Sequence, residues 1–237
     1  MAMNLIEKTP GNVSFTGEIN ITLANAIRRS VNEIPILAIE EADIYKNDSA
    51  LYDEIIAHRL GLVVLKNQKL KSDQTIEMKM KVKGKNDRTE VLAGELGSEV
   101  VYPETPIVLL EDKQEIELVA RARVGKGIEH SKFSPGFIFY KHLPNIKISG
   151  EGAKQVELAE IYPEVFEKFG DKIKIKNAAA GDLDEEDMKN YPGISVEFNN
   201  DLVFNVESWG QIEAKDIFLE ACKALKANLS EVSKVVK

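Results

Sequence analysis

The residues able to do chemistry are few and scattered. His58, His130 and His142 are the three histidines, and none stands in a metal-ligand spacing such as His-x-x-x-His. The single cysteine, Cys222, excludes an intrachain disulfide and any Cys-built zinc or iron–sulfur site made by this chain alone. It falls within an apolar helical stripe, where a thiol reads as a small buried hydrophobe rather than a nucleophile. Gly125-Lys126-Gly127 is a fragment of a phosphate-loop pattern without the rest, and reads as a turn. Asp43, Asp48, Asp53 and Glu54 could serve a metal-dependent enzyme, but an acidic, capped helix start accounts for Asp53 and Glu54. The remaining polar signal is a helix face carrying Asn25, Arg28, Arg29 and Asn32. Arg28 and Arg29 are about 100° apart around that axis. Such a face is either solvated or a docking patch whose guanidinium forks hold carboxylates or carbonyls of another chain.

Composition narrows the choice. With 237 residues, 43% hydrophobic and 30% charged, the chain can bury a sizeable core as one large or two small domains. Lys and Arg number 31 against 39 Asp and Glu, a net charge of -8. Phosphate binding favours basic surfaces, so direct nucleic-acid contact is a poor expectation and a protein partner a better one. Apolar runs such as Ile107 to Leu110 are too short to span a bilayer, and the first residues lack an apolar signal region. No membrane association and a cytoplasmic location are therefore expected.

These residues need elements to position them. Residues 4–8 and 12–19 read as strands across a Pro10-Gly11-Asn12 turn. A helix follows from about Thr22, its N-cap, to Ile34, with Leu23, Ile27, Val31 and Ile34 on one face and Pro35 ending it. Ile36 to Tyr45 alternates as a strand. Leu51 to Leu60 reads as a second helix capped by Ser49, with Leu51, Ile55 and Leu62 facing inward and Gly61 closing it; Leu62 to Leu65 then starts a strand. Residues 66–148 are β-rich: Ile76 to Val82, Ile107 to Leu110, Ile116 to Val124 and Phe137 to Tyr140, with a polar turn over 83–87. Beyond 151 come a short helix over Ile161 to Phe169, a strand over Lys172 to Lys176, and a hairpin of Ile194 to Phe198 and Leu202 to Val206 across Asn199-Asn200-Asp201. The last element is a long helix from about Glu213. Its Phe218, Cys222, Leu225, Leu229, Val232 and Val236 repeat by four, three, four, three and four, a heptad-like stripe. That stripe must be buried, either on this chain's own sheet or against a partner helix.

The order of segments resembles a known family. Leu23-Ala24-Asn25-Ala26-Ile27-Arg28-Arg29, running to Ile34-Pro35, resembles the arginine-pair helix of RNA polymerase alpha-like subunits. The stretch from Leu51-Tyr52-Asp53-Glu54 through Arg59-Leu60-Gly61-Leu62 is similar to a segment of the archaeal D-type branch of that family, as are Pro106 to Leu110 and Glu129 to Phe133. The resemblance covers nearly the whole chain and implies an α+β fold. In it a discontinuous alpha-like dimerisation domain (1–42 and 202–237) is interrupted by a β-rich insert (43–150 and 194–201) and a small ferredoxin-like subdomain (151–193). It implies a non-catalytic assembly subunit of DNA-directed RNA polymerase that heterodimerises with subunit L. The pair would seat the second-largest subunit, beside the small zinc-binding subunits N and P. On this resemblance Leu23, Ile27, Val31, Phe218, Cys222, Leu225, Leu229 and Val232 line the dimer interface. Asn25, Arg28, Arg29, Tyr52, Asp53, Glu54 and Arg59 dock other subunits, Arg29 foremost. Many relatives carry an iron–sulfur cluster in the subdomain. Here Gly181, Asp184, Asp187 and Tyr191 stand at the cysteine spacing before Pro192, and Ile161-Tyr162-Pro163 stands where the other half-motif would be. A cluster-free remnant is therefore expected, because carboxylates do not replace soft thiolates. The rivals are a free-standing homodimeric interaction module and the metal-dependent enzyme.

Overall fold

The computed structural model describes residues 3–68, 74–85 and 88–236, with Asn199 by its backbone alone. It is a mixed α/β structure whose resolved strand pairings run antiparallel. Among the described residues no helix is long and apolar enough to cross a membrane. The chain divides into two compact units. One holds the residues up to Glu7, Ser14–Ala24 and Phe139–Asn205; the other holds Lys8–Val13, Asn25–Ile138 and the residues from Val206 onward.

The second unit is built on a three-stranded sheet in the order β3 (Pro35–Asn47), β7 (Glu115–Lys126) and β4 (Thr75–Lys83). Strand alternation sorts its faces. Leu37, Ile39, Met78, Met80, Ile116, Leu118, Ala120 and Ala122 are buried on one side. On the other, Arg121 of the central strand stands opposite Glu41 and Glu77 of its neighbours. Its guanidinium pairs with Glu77 at 3.1 Å and Asp43 at 2.5 Å. The apolar face is covered by α2 (Asp53–Gly61) through Ile56 and Leu60, and by the hairpin of β5 (Thr89–Leu92) and β6 (Pro106–Leu110). Gly125 is not a turn residue but part of β7. A Cβ there would lie 2.7 Å from the ring of Phe133, a fully buried side chain with Arg123 above it at 4.8 Å and Lys132 at 5.2 Å.

The other unit holds most of a four-stranded sheet ordered β1 (Met3–Lys8), β2 (Asn12–Glu18), β11 (Ile194–Ser208) and β8 (Gly136–Ile148). Its second, small core joins Leu158, Val165, Phe166, Ile173, Leu183, Met188 and Val196. This core gathers α3 (Leu158–Ile161), the hairpin of β9 (Phe166–Phe169) and β10 (Lys172–Ile175), and α4 (Glu185–Met188).

Several local expectations change. The helix expected over Ile161 to Phe169 is α3 followed by β9, because Pro163 interrupts helical pairing and Phe166 enters the hairpin. The expected hairpin at 194–206 is one continuous strand: β11 lies between β2 and β8 in the sheet and runs straight through Asn199-Asn200-Asp201. Leu62 to Leu65 contributes only an isolated bridge, Leu65 to Val100. The first helix, α1 (Ile21–Ser30), is followed by a 3-10 turn at Val31–Glu33. It is capped by Asn20, whose Oδ1 accepts the Thr22 N–H at 2.8 Å, rather than by Thr22. Ser49 does not cap α2 either; its hydroxyl donates to Asn47 Oδ1 at 2.6 Å. The polar turn expected over 83–87 lies partly outside the described residues, at Asn86 and Asp87.

Candidate interaction surfaces

Three surfaces of the second unit carry most of the residues singled out. The first is the last helix, α5 (Ala214–Val235), rich in Ala, Leu, Lys and Glu and so a strong helix former. Asp216 in its first turn and Lys234 in its last suit the helix dipole. Its opening turns bury Ala214, Ile217 and Ala221 within this chain, and the helix packs on the 3-10 turn at Val31–Glu33. Phe218, Cys222 and Leu225 are half-buried, and burial pushes the Cys222 thiol pKa up, which disfavours the reactive thiolate. Beyond Leu225 no described residue covers the stripe. Leu229 is 61% exposed, Val232 59% and Val236 80%. Of the expected interface residues on the first helix, Ile27 and Val31 are buried in this chain, whereas Leu23 is exposed. Leu219 and Val235, which sequence patterning did not single out, are exposed as well.

The second surface is the end of α1. Asn25 Oδ1 accepts from Arg28 Nε at 3.2 Å and Nη2 at 2.9 Å, so Arg28 is folded back along its own helix. The Arg29 side chain is exposed and makes no hydrogen bond or ion pair to any described residue. The adjacent arginines thus differ: one guanidinium is held, the other is available.

The third surface is the outer side of α2. The helix phase differs from expectation, with Ile56 and Leu60 inward and Ile55 and Leu62 outward. The Ser49 cap would have started the helix early, and packing on β3 selects the other stripe. Tyr52 and Glu54 are exposed. Asp53 Oδ1 accepts from Asn47 Nδ2 at 2.7 Å, which ties the helix start to the end of β3. Arg59 Nη1 donates to the Ile107 carbonyl at 2.8 Å and so pins α2 to β6. Nothing in residue spacing signalled that bond, since its acceptor is a backbone atom 48 positions away.

The acidic residues near 43–54 do not converge. Asp43 binds Arg121, Asp48 binds Lys46 at 3.3 Å and accepts the Glu115 N–H, and Asp53 binds Asn47. Among the described residues no three His, Cys, Asp or Glu side chains are grouped so as to hold a metal. The residues at the cysteine spacing of the other unit serve local structure. Asp184 accepts the Glu186 N–H at 3.0 Å and caps α4. Tyr191 packs on the small core, and a Cβ at Gly181 would run into the Val165 side chain. Tyr162 has its pKa raised, first by burial and then by the charge of Asp187.

Comparison with known proteins supplies the family. The chain matches the family model described as the RNA polymerase Rpb3/Rpb11 dimerisation domain across residues 15–229. A protein named DNA-directed RNA polymerase subunit Rpo3 from Thermococcus kodakarensis is 32% identical over 93% of this chain and 92% of its own length. Proteins of the same name from Methanothermobacter thermautotrophicus and Archaeoglobus fulgidus are each 31% identical, over 98% and 91% of this chain and 97% and 89% of theirs.

Proposed function

The chain belongs to the RNA polymerase Rpb3/Rpb11 dimerisation-domain family and is an assembly subunit of DNA-directed RNA polymerase, and from that premise we propose that it works by binding alone, with no catalytic residue of its own. The family's domain implies a heterodimer with a partner of the L or Rpb11 type. The observation that carries the finer reading is the uncovered end of α5. A stripe ending in Leu229, Val232 and Val236 keeps apolar surface in water unless another helix covers it. In this reading subunit L covers that stripe, and the half-buried Phe218, Cys222 and Leu225 complete the seam. The free Arg29 guanidinium, with Tyr52 and Glu54 of α2, docks the second-largest subunit. Arg28, Asn25, Asp53 and Arg59 hold that surface in shape, since each is already bonded within the chain. Subunits N and P sit alongside, and the assembly works in the cytoplasm.

The same reading divides the chain into a dimerisation domain of 1–42 and 202–237, an insert of 43–150 and 194–201, and a cluster-free remnant at 151–193. The apolar core around Val165, Leu183 and Met188 supports the last part: it supplies by side-chain packing the cohesion that a cluster would otherwise provide. Anaerobically purified protein should contain no stoichiometric iron or acid-labile sulfide; about one cluster per chain would overturn the remnant.

Coexpression with an L-type subunit tests the main claim. A one-to-one complex by mass, lost in the Leu229→Glu/Val232→Glu double variant while the single chain stays folded, is the expected outcome. A chain that remains alone or forms only homodimers contradicts it.

A further inference from the structure

The second unit carries a cleft of ≈ 430 Å³ that none of the docking roles above uses. Its walls are Leu37 of β3, Leu62 at the end of α2, Tyr102, Lys132, and the Trp209 and Gln211 that follow β11. Three of these, Leu62, Tyr102 and Trp209, are large apolar or aromatic side chains left exposed. The walls are built rather than incidental. Trp209 donates its backbone N–H to the Pro135 carbonyl at 2.9 Å and rests on Phe137 with ring centroids 5.4 Å apart. Gly210 takes φ +106, and a Cβ there would lie 2.7 Å from the Tyr102 hydroxyl oxygen, so only glycine lets that ring close over the segment. The Gln211 backbone carbonyl accepts the Asn67 N–H at 3.3 Å.

Within this setting the Gln211 Oε1 atom is buried and has no hydrogen-bond donor, the one such side-chain atom among the described residues. Buried acceptors are normally satisfied, and an orphan calls for a donor from outside the chain. The charge of the cleft selects the donor's kind. Lys132 lines it and is already bound to Glu40 at 2.5 Å, so the cleft offers no free counter-charge to a cation or to a carboxylate. A neutral N–H on an apolar body is left. The approach is apolar too, because Tyr52, Ile55 and Leu62 are exposed along one side of α2 and lead to the mouth of the cleft.

We propose that the cleft walled by Leu62, Tyr102 and Trp209 receives a neutral apolar side chain from another polymerase subunit, whose N–H is donated to Gln211 Oε1. The inference rests on the assembly reading above and adds to it a specific anchor point. Aromatic walls around one buried polar atom are the usual make-up of an interface hot spot.

Trp209 is the chain's one tryptophan, which makes the site directly observable. The full-length chain carrying 5-fluorotryptophan, in heterodimer with an unlabelled L-type subunit, gives a single fluorine resonance. The remaining unlabelled polymerase subunits are then added in turn. The expected result is that one of them shifts the resonance and removes its solvent isotope effect. Leu62→Asp should weaken that subunit's binding by about tenfold or more and Gln211→Leu by a few-fold, with the heterodimer intact in both. Full assembly with the resonance unmoved and still solvent-sensitive overturns the inference and leaves the assembly reading standing. Failure of any subunit to join overturns the assembly reading itself. A resonance already shielded in the heterodimer and released by refolding from denaturant assigns the cleft to a small molecule, and this also overturns the inference.

Discussion

The two halves of α5 share one apolar side and meet different fates. In the first half Ala214, Ile217 and Ala221 are sealed inside the chain; in the second, Leu229, Val232 and Val236 stand in water. The difference teaches that a periodic stripe records every surface a helix will meet, not only those of its own chain. Where the stripe outruns the fold, the excess points to a partner.

Substitutions can break that comparison. The largest effect should come from Ile217→Asp, which buries an unpaired carboxylate at a fully enclosed position and should cost about 4 kcal/mol or more. The Leu229→Asp/Val232→Asp pair should change the stability of the single chain by about 0.5 kcal/mol or less while abolishing the heterodimer. Denaturant melts and light-scattering masses of both variants decide. Equal destabilisation by the two would mean that the second half is buried too.

Phe133→Ala comes next, at about 3 kcal/mol or more in a urea melt, for it empties a ring-sized space beneath Arg123 and Lys132. A loss below about 1 kcal/mol would show that the pocket of Gly125 and Phe133 collapses freely. The arginine pair sharpens the contrast between held and available groups. Arg29→Ala should weaken docking of the second-largest subunit by about tenfold, and Arg28→Ala by less, because Asn25 already occupies that guanidinium. Titration of heterodimer variants with that subunit reads both. Equal losses would remove the distinction.

The smallest effect is on acid stability. The Glu40 carboxyl sits below its ordinary value of 4.5, first through the Lys132 hydrogen bond against opposing burial, then through the Lys132 and Arg123 charges. A carboxyl depressed in the folded state binds protons more readily when unfolded. Its contribution is therefore complete above the ordinary value and fades as pH falls through the folded one. Glu40→Gln should accordingly lose less stability than the parent from about pH 6 to about pH 3, measured by thermal melts. An identical pH slope in the two proteins would argue against the Glu40 pairing.

Much of this was legible in the residues. The alternation of β4 and β7 is a side-chain pattern, and packing obeys it, whereas the residues that α5 buries outright, Ala214, Ile217 and Ala221, stand beside its heptad stripe rather than in it. The breaks came where local and tertiary signals conflict. Asn199-Asn200-Asp201 carries turn residues, yet the chain stays extended there as part of β11 in its sheet. Along α2 the apolar positions 51, 55, 56, 60 and 62 serve two phases, and packing on β3 and β6 selects Ile56 and Leu60. The site was legible in part for the same reason. Residue type announced Arg28 and Arg29 together, but only geometry separates a guanidinium bound to Asn25 from one left free. Arg59 bonding to the Ile107 carbonyl leaves no trace in residue spacing.

Amide hydrogen exchange along α5, in the chain alone and mixed with an L-type subunit, tests the central claim most directly. Residues 225–236 should exchange readily in the lone chain and slow markedly on mixing, while the amides around Ile217 stay protected throughout. Unchanged exchange at 225–236 in a mixture that forms a heterodimer would contradict the account.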